Sequence, residues 1–140
     1  MDIEGAVLSW DYAALVAEWT LENVDTTRHD DDAEGPGLCV DDKGLGPGIC
    51  DSPEVVATVA EILRWQAAGL RGSRPEGTGF KFYFRTAATS EALALETWVG
   101  PYDSFNDTLG ELVVNLTNAM EREGIADNLC RLQIRVKIMQ

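Results

Sequence analysis

Residues 130–138 constrain this chain more than any other stretch. Cys130, Leu132, Ile134, Val136 and Ile138 alternate with Arg131, Gln133, Arg135 and Lys137. A period of two with one apolar and one basic face is the pattern of a half-buried β-strand. A strand needs partners, so the chain must build a sheet and cover its apolar face. Residues 80–85 repeat the pattern: Phe80, Phe82 and Phe84 alternate with Lys81, Tyr83 and Arg85. That predicts a second strand with an aromatic inner face. In residues 91–99, Leu93, Leu95, Thr97 and Val99 alternate with Ala92, Ala94, Glu96 and Trp98. This predicts a third strand, hairpinned to the second through residues 87–90 and stopped at Gly100-Pro101. The run Ser90-Glu91-Ala92-Leu93 would also open a helix.

Three other stretches carry helical spacing. In residues 9–21, Ser9 can cap, and Leu8, Tyr12, Leu15, Val16 and Trp19 form one stripe. In residues 52–68, Ser52 can cap, Pro53 suits the first helical position, and Val56, Val59, Ala60, Leu63 and Ala67 line one side. The third helix is predicted from Asp103 or Ser104 to about Glu123, with Phe105, Leu109, Leu112, Val113, Leu116, Ala119 and Met120 facing inward and Gly124 as its stop.

The element order predicts an α+β fold. In it a small antiparallel or mixed three-stranded sheet carries about three helices on one face, with residues 80–85 as the central strand. A long acidic Gly/Pro-rich loop completes the fold. The 140 residues fit a single domain spanning 1–140.

Residues 23–51 make that loop. They hold Asp30, Asp31 and Asp32, then Glu34, Asp41, Asp42 and Asp51. Gly35-Pro36-Gly37-Leu38-Cys39 returns as Gly46-Pro47-Gly48-Ile49-Cys50. A small hairpin closed around Asp42-Lys43-Gly44 is one way to fold it. The acids lack the alternating spacing of a calcium-binding EF-hand loop, so a solvated acidic turn is the plainer reading.

Charge narrows the function classes. The chain carries 24 acidic and 11 basic residues, a net charge of −13. This argues against general binding to nucleic acid or anionic membrane. It suits a basic protein partner, a cationic ligand or mimicry of a polyanion; a high-salt habitat selects the same composition. No apolar run approaches the roughly 18–20 residues of a membrane span. The first residues show no basic region followed by an apolar stretch, so a cytoplasmic setting is expected. Cys39, Cys50 and Cys130 are then expected as reduced thiols. One histidine and no paired cysteines argue against a zinc site, and no cofactor is expected. Gly72-Ser73-Arg74 and Gly77-Thr78-Gly79 match no phosphate-loop pattern. No nucleophile stands beside an evident base, so catalysis is not favoured and no catalytic residue is assigned.

Two surfaces remain as binding candidates. One is the acidic loop, with Asp30, Asp31, Asp32, Asp41 and Asp42. The other is the polar face of the sheet, which would gather Lys81, Tyr83, Arg85, Trp98, Arg131, Arg135 and Lys137, beside Gln133. Five of the 11 bases would lie there. A solvated face needs no ligand to explain its polarity; the two aromatic rings are what suggest one. The first functional expectation is a small acidic non-catalytic protein that binds a protein partner. It would act as an inhibitor, an antitoxin or immunity-type protein, or an assembly component, a viral one included. The alternative is a binder of a nucleotide-like small ligand on the sheet face. A homo-oligomer is compatible with both.

Overall fold

A computed structural model describes residues 8–26, 38–57, 65–71, 79–102, 111–126 and 129–139. In chain order, α1 (Tyr12–Glu18) leads to β1 (Thr20–Glu22) and β2 (Val24–Asp25). Then come β3 (Cys39–Val40), a 3-10 turn at Lys43–Leu45, β4 (Gly48–Asp51) and β5 (Val55–Val56). β6 (Ala67–Arg71) and β7 (Gly79–Ala87) precede α2 (Ser90–Leu95) and β8 (Val99–Tyr102). β9 (Glu111–Asn115) runs directly into α3 (Leu116–Glu123), and β10 (Arg131–Met139) is last.

The expected three-stranded sheet under three helices is not what forms. A six-stranded antiparallel sheet runs in the order β1-β4-β10-β7-β8, with β5 pairing β10 alongside β4. Two more antiparallel pairs, β2–β3 and β6–β9, stand outside it. The described helices are three short ones. β10 is the hub, flanked by β7 over its whole length and by β4 and β5 on the other side. Its alternation holds as read: Leu132, Val136 and Ile138 are buried, and Ile134 packs half-buried against the same core.

The predicted helix over 52–68 is extended wherever it is described. Ser52 is 3% exposed, and its role is a sheet role. Its N–H donates to the Ile134 carbonyl at 2.8 Å, and its Oγ accepts from the Ile134 N–H at 2.9 Å. The hydroxyl thus carries the β10 ladder across the break between β4 and β5. The Ser-Pro pair that reads as a helix start here bridges two strand segments, and the β-branched Val55-Val56 favours a strand. Residues 58–64, with Val59, Ala60 and Leu63, lie outside the described residues.

Of the predicted third helix, residues 103–110 lie outside the described residues, and the described part is a strand followed by a helix. Leu112 and Val114 are buried while Val113 is 59% exposed, a period of two and hence a strand. Asn115 then caps α3, its side chain accepting from the Asn118 N–H at 3.0 Å. Gly124 closes the helix at φ 68°. Residues 91–99 correct in the other direction. Thr89 accepts from the Ala92 N–H and caps α2; Leu93 is buried and Leu95 is 88% exposed. The helix-opening run prevails over the alternation, and the strand moves to β8.

The first helix is shorter than its pattern. Asp11, not Ser9, is the cap, and residues 20–22 become β1. Leu8 is exposed at 59%; of the predicted stripe, Trp19 packs against the core, with Trp10 meeting it edge-on at 5.3 Å. The expected hairpin between residues 38–40 and 49–50 does not form either: β3 pairs with β2, and β4 with β1 and β10. Asn23, at φ 56°, organises this corner. Its Nδ2 donates to the carbonyls of Asp42 and Gly46 at 2.9 and 3.1 Å, and its Oδ1 accepts from the Asp42 N–H at 2.9 Å. Gly48 permits the close approach, since a Cβ there would lie 2.9 Å from Val24 Cγ2 and 3.1 Å from the Asn23 carbonyl.

The core joins both layers. Phe82, Phe84, Leu132, Val136 and Ile138 from the sheet meet Leu112, Val114, Leu116, Ala119 and Met120 from β9 and α3. Trp65 ties the far side. Its Nε1 donates to the Leu129 carbonyl at 2.7 Å, and its own carbonyl accepts from Thr117 Oγ1 at 2.7 Å.

Candidate functional site: the polar face of the sheet

The register fixes which side chains meet on the face turned away from the core. Direct partners in an antiparallel ladder share a face. Glu22, Ile49, Lys137 and Lys81 therefore form one row across β1, β4, β10 and β7. The next row is Thr20, Asp51, Arg135 and Tyr83. Gln133 with Arg85, and Val56, Arg131 and Ala87, complete the face. The seven sheet-face residues named from sequence, Lys81, Tyr83, Arg85, Trp98, Arg131, Arg135 and Lys137, are thus brought together. Six come by register. Trp98 comes by folding back from the loop before β8.

Most of their charge is already engaged. Arg135 Nε and Nη2 donate to Asp51 Oδ1 and Oδ2 at 2.7 and 2.9 Å. The hydrogen bond to Asp51 raises the Arg135 pKa further. Arg131 Nη1 donates to Glu54 Oε1 at 2.9 Å. Arg85 donates through Nε and Nη2 to Gln133 Oε1 at 3.0 and 2.7 Å. Its Nη1 reaches the Glu96 carbonyl at 3.2 Å and that of Ala94 at 3.4 Å. A guanidinium thereby satisfies carbonyls at the C-terminal end of α2, the end that favours a cation. Burial, and next the nearby Arg135, lower the Arg85 pKa.

Trp98 touches both arginines. The guanidinium carbons of Arg85 and Arg135 lie 4.2 and 4.4 Å from its ring centroid, within cation–π range. The end of α2 and Trp98 therefore occupy this part of a face that the alternation alone presents as open. Lys137 is different: its Nζ lies 5.0 Å from the Tyr83 ring centroid.

The acidic candidates divide. Asp41 and Asp42 are exposed on the turn between β3 and β4 and belong to none of the sheet rows. Asp42 Oδ1 accepts from the Gly44 N–H at 2.9 Å. Asp30, Asp31 and Asp32 lie outside the described residues. Sequence reading missed Asp51 and Glu54 as partners of Arg135 and Arg131. The sequence pattern puts Asp51 in a loop and Glu54 in the helix over 52–68; the pairing of β4 and β5 with β10 is what brings them beside the basic strand.

Cys50 is a free thiol, 1% exposed. Burial, helped by the neighbouring Asp51, pushes its pKa up to about 12. A thiol so protonated is a poor nucleophile. Among the described residues no group of three or more His, Cys, Asp or Glu could hold a metal ion. None of the described helices is long and apolar enough to cross a membrane. Comparison with family models, with characterised proteins and with solved structures finds no match to this chain.

Proposed function

We propose that this chain is a non-catalytic binding protein of the cytoplasm that holds a basic partner protein against its acidic exterior. It would do so as an inhibitor, an antitoxin or an assembly component does. One observation carries the reading: the asymmetry between exposed acids and engaged bases. Asp11, Glu18, Glu22, Asp41 and Asp42 are exposed in the first half of the chain, and Glu91, Glu96, Glu121 and Glu123 in the second. Against them, Arg122 is the one exposed base among the described side chains. The arginines of the sheet spend their hydrogen bonds internally. Among the described side chains the exposed charge is therefore more one-sided than 24 acids against 11 bases implies. Such a field steers oppositely charged partners and weakens with salt.

The test is purification of the tagged chain from its own host, with an Asp41→Lys plus Asp42→Lys variant run in parallel. Extracts are compared at about 0.01 M and about 0.15 M ionic strength, where screening lengths are ~30 and ~8 Å. A stoichiometric basic protein should bind at the lower salt, fade at the higher, and bind the variant less well. Recovery of no stoichiometric partner, or of one indifferent to both salt and the variant, would sink the reading.

A further inference from the structure

Lys81 and Lys137 are direct partners in the β7–β10 ladder. Such partners hold their Cβ atoms about 4.5–5.5 Å apart on one face, and like charges placed so destabilise a sheet. Both side chains are half-buried. The three arginines of the same face have found carboxylates or amide and carbonyl oxygens, but no carboxylate among the described residues pairs with either lysine. Their row continues through Ile49, so the nearest acid along it, Glu22, stands two strands from Lys137. In a chain with 24 acids for 11 bases, two lysines in register, neither paired with a carboxylate among the described residues, stand out on this face. Tyr83 adjoins them, its ring facing Lys137 Nζ at 5.0 Å.

We propose that Lys81, Lys137 and Tyr83 form a binding site for a phosphomonoester. The chemistry matches in charge and shape. A phosphomonoester carries about −1.5 to −2 charges near neutral pH and three acceptor oxygens. Two adjacent ammonium groups, each with three donors, neutralise it and relieve their own repulsion. A single carboxylate would leave one lysine uncompensated. An aromatic ring beside the phosphate gives a planar base a surface to stack on. The site rests on sheet register and does not depend on the acidic exterior.

The experiment titrates inorganic phosphate, adenosine 5′-monophosphate and acetate into the full chain at constant ionic strength, following backbone amide shifts by NMR. Phosphate and the nucleotide should give saturable shifts centred on Lys81, Tyr83 and Lys137. The double variant Lys81→Gln plus Lys137→Gln should weaken both by about tenfold or more and keep the amide spectrum of a folded protein. A nucleotide that binds more tightly than phosphate, and loses that gain in Tyr83→Leu, assigns the site to nucleotides; equal affinity assigns it to the phosphate group alone. Absence of saturable shifts at these residues, acetate binding as well as phosphate, or unchanged affinity in the double variant would overturn the proposal.

Discussion

Arg135 and Asp51 face each other across the β10–β4 ladder, and the guanidinium holds the carboxylate with two bonds of 2.7 and 2.9 Å. Both side chains are about a quarter exposed or less, at 25% and 21%. A two-pronged pair in that setting is worth more than an ordinary surface ion pair. Removing the anion also leaves Arg135 beside the like charge of Arg85. Asp51→Asn is expected to lower stability by about 1–3 kcal/mol. The same change should cost less once Arg135 is already alanine. Urea unfolding of the double-mutant cycle measures the coupling, and a value near zero would mean the pair does not bind the two strands together.

Glu54 gives the protein a pH-sensitive link. Its carboxylate accepts from Ser90 Oγ at 2.7 Å and from Arg131 Nη1 at 2.9 Å. The Ser90 bond foremost, and then Arg131, hold its pKa below the usual 4.5 against an upward pull from burial. A depressed folded-state pKa contributes stability above the unfolded value, and that stability is lost as pH falls through the folded one. Wild type and Glu54→Gln should therefore differ most in melting temperature near neutral pH, and the gap should close from about pH 5 downward. A gap that stays constant would show that the charge of Glu54 contributes nothing.

The strand phase of the hub sheet can be read by substitution. Phe84 is 0% exposed and Phe82 2%, so Phe84→Ala is expected to cost about 3–5 kcal/mol. Ile134 is only half-buried, and Ile134→Ala should cost less than Phe84→Ala. Lys81→Ala, on the opposite face, should stay within about 0.5 kcal/mol. Comparable losses at Phe84 and Lys81 in chemical denaturation would contradict the assignment of faces.

Ser52 separates a sheet role from a helix-cap role. Its Oγ accepts from the Ile134 N–H and donates to the Pro53 carbonyl, at 2.9 Å each. Ser52→Ala leaves that strand N–H without its acceptor in a buried place, which should cost about 1–3 kcal/mol. Amide hydrogen exchange locates the damage. Faster exchange at Ile134 is expected, and unchanged protection there would argue that the hydroxyl is not part of the ladder.

The residues of these predictions also mark what the sequence discloses. β10 and β7 are legible because a strand with one wet face must alternate, and Arg131 to Ile138 and Phe80 to Arg85 do so. The gathering of the bases and Tyr83 on one face followed from that alternation; Trp98 reaches it from the loop before β8 instead. The neutralisation of the bases did not follow from it, because Asp51 and Glu54 reach Arg135 and Arg131 through pairings far apart in the chain. Ser52-Pro53 misled because a hydroxyl that can accept from a helix N–H can equally accept from a strand N–H. The segment around Leu112 and Val113 misled because a short apolar run fits both periods, and only burial tells them apart. At Leu93 and Leu95 the opposite happened, with capping by Thr89 prevailing over an apparent alternation.

The charge map gives folding and binding opposite responses to salt. Nine exposed acids against one exposed base, counted over the described side chains, repel one another in the folded state, and screening relieves that repulsion. Stability should therefore rise with ionic strength, while attraction to a basic partner falls. In the last turn of α3, Glu121 and Glu123 flank Arg122 at the C-terminal end of the helix. The helix dipole disfavours anions there, by about 0.3–1 kcal/mol each at low salt. Glu123→Gln is thus expected to raise stability at about 0.01 M ionic strength and to lose that advantage near 1 M, where the screening length is ~3 Å. Thermal unfolding of both proteins across that range is the measurement. A wild-type melting temperature that does not change with salt, or a Glu123→Gln gain that persists at the highest salt, would show that self-repulsion does not limit this fold and that the acidic exterior carries no cost in stability.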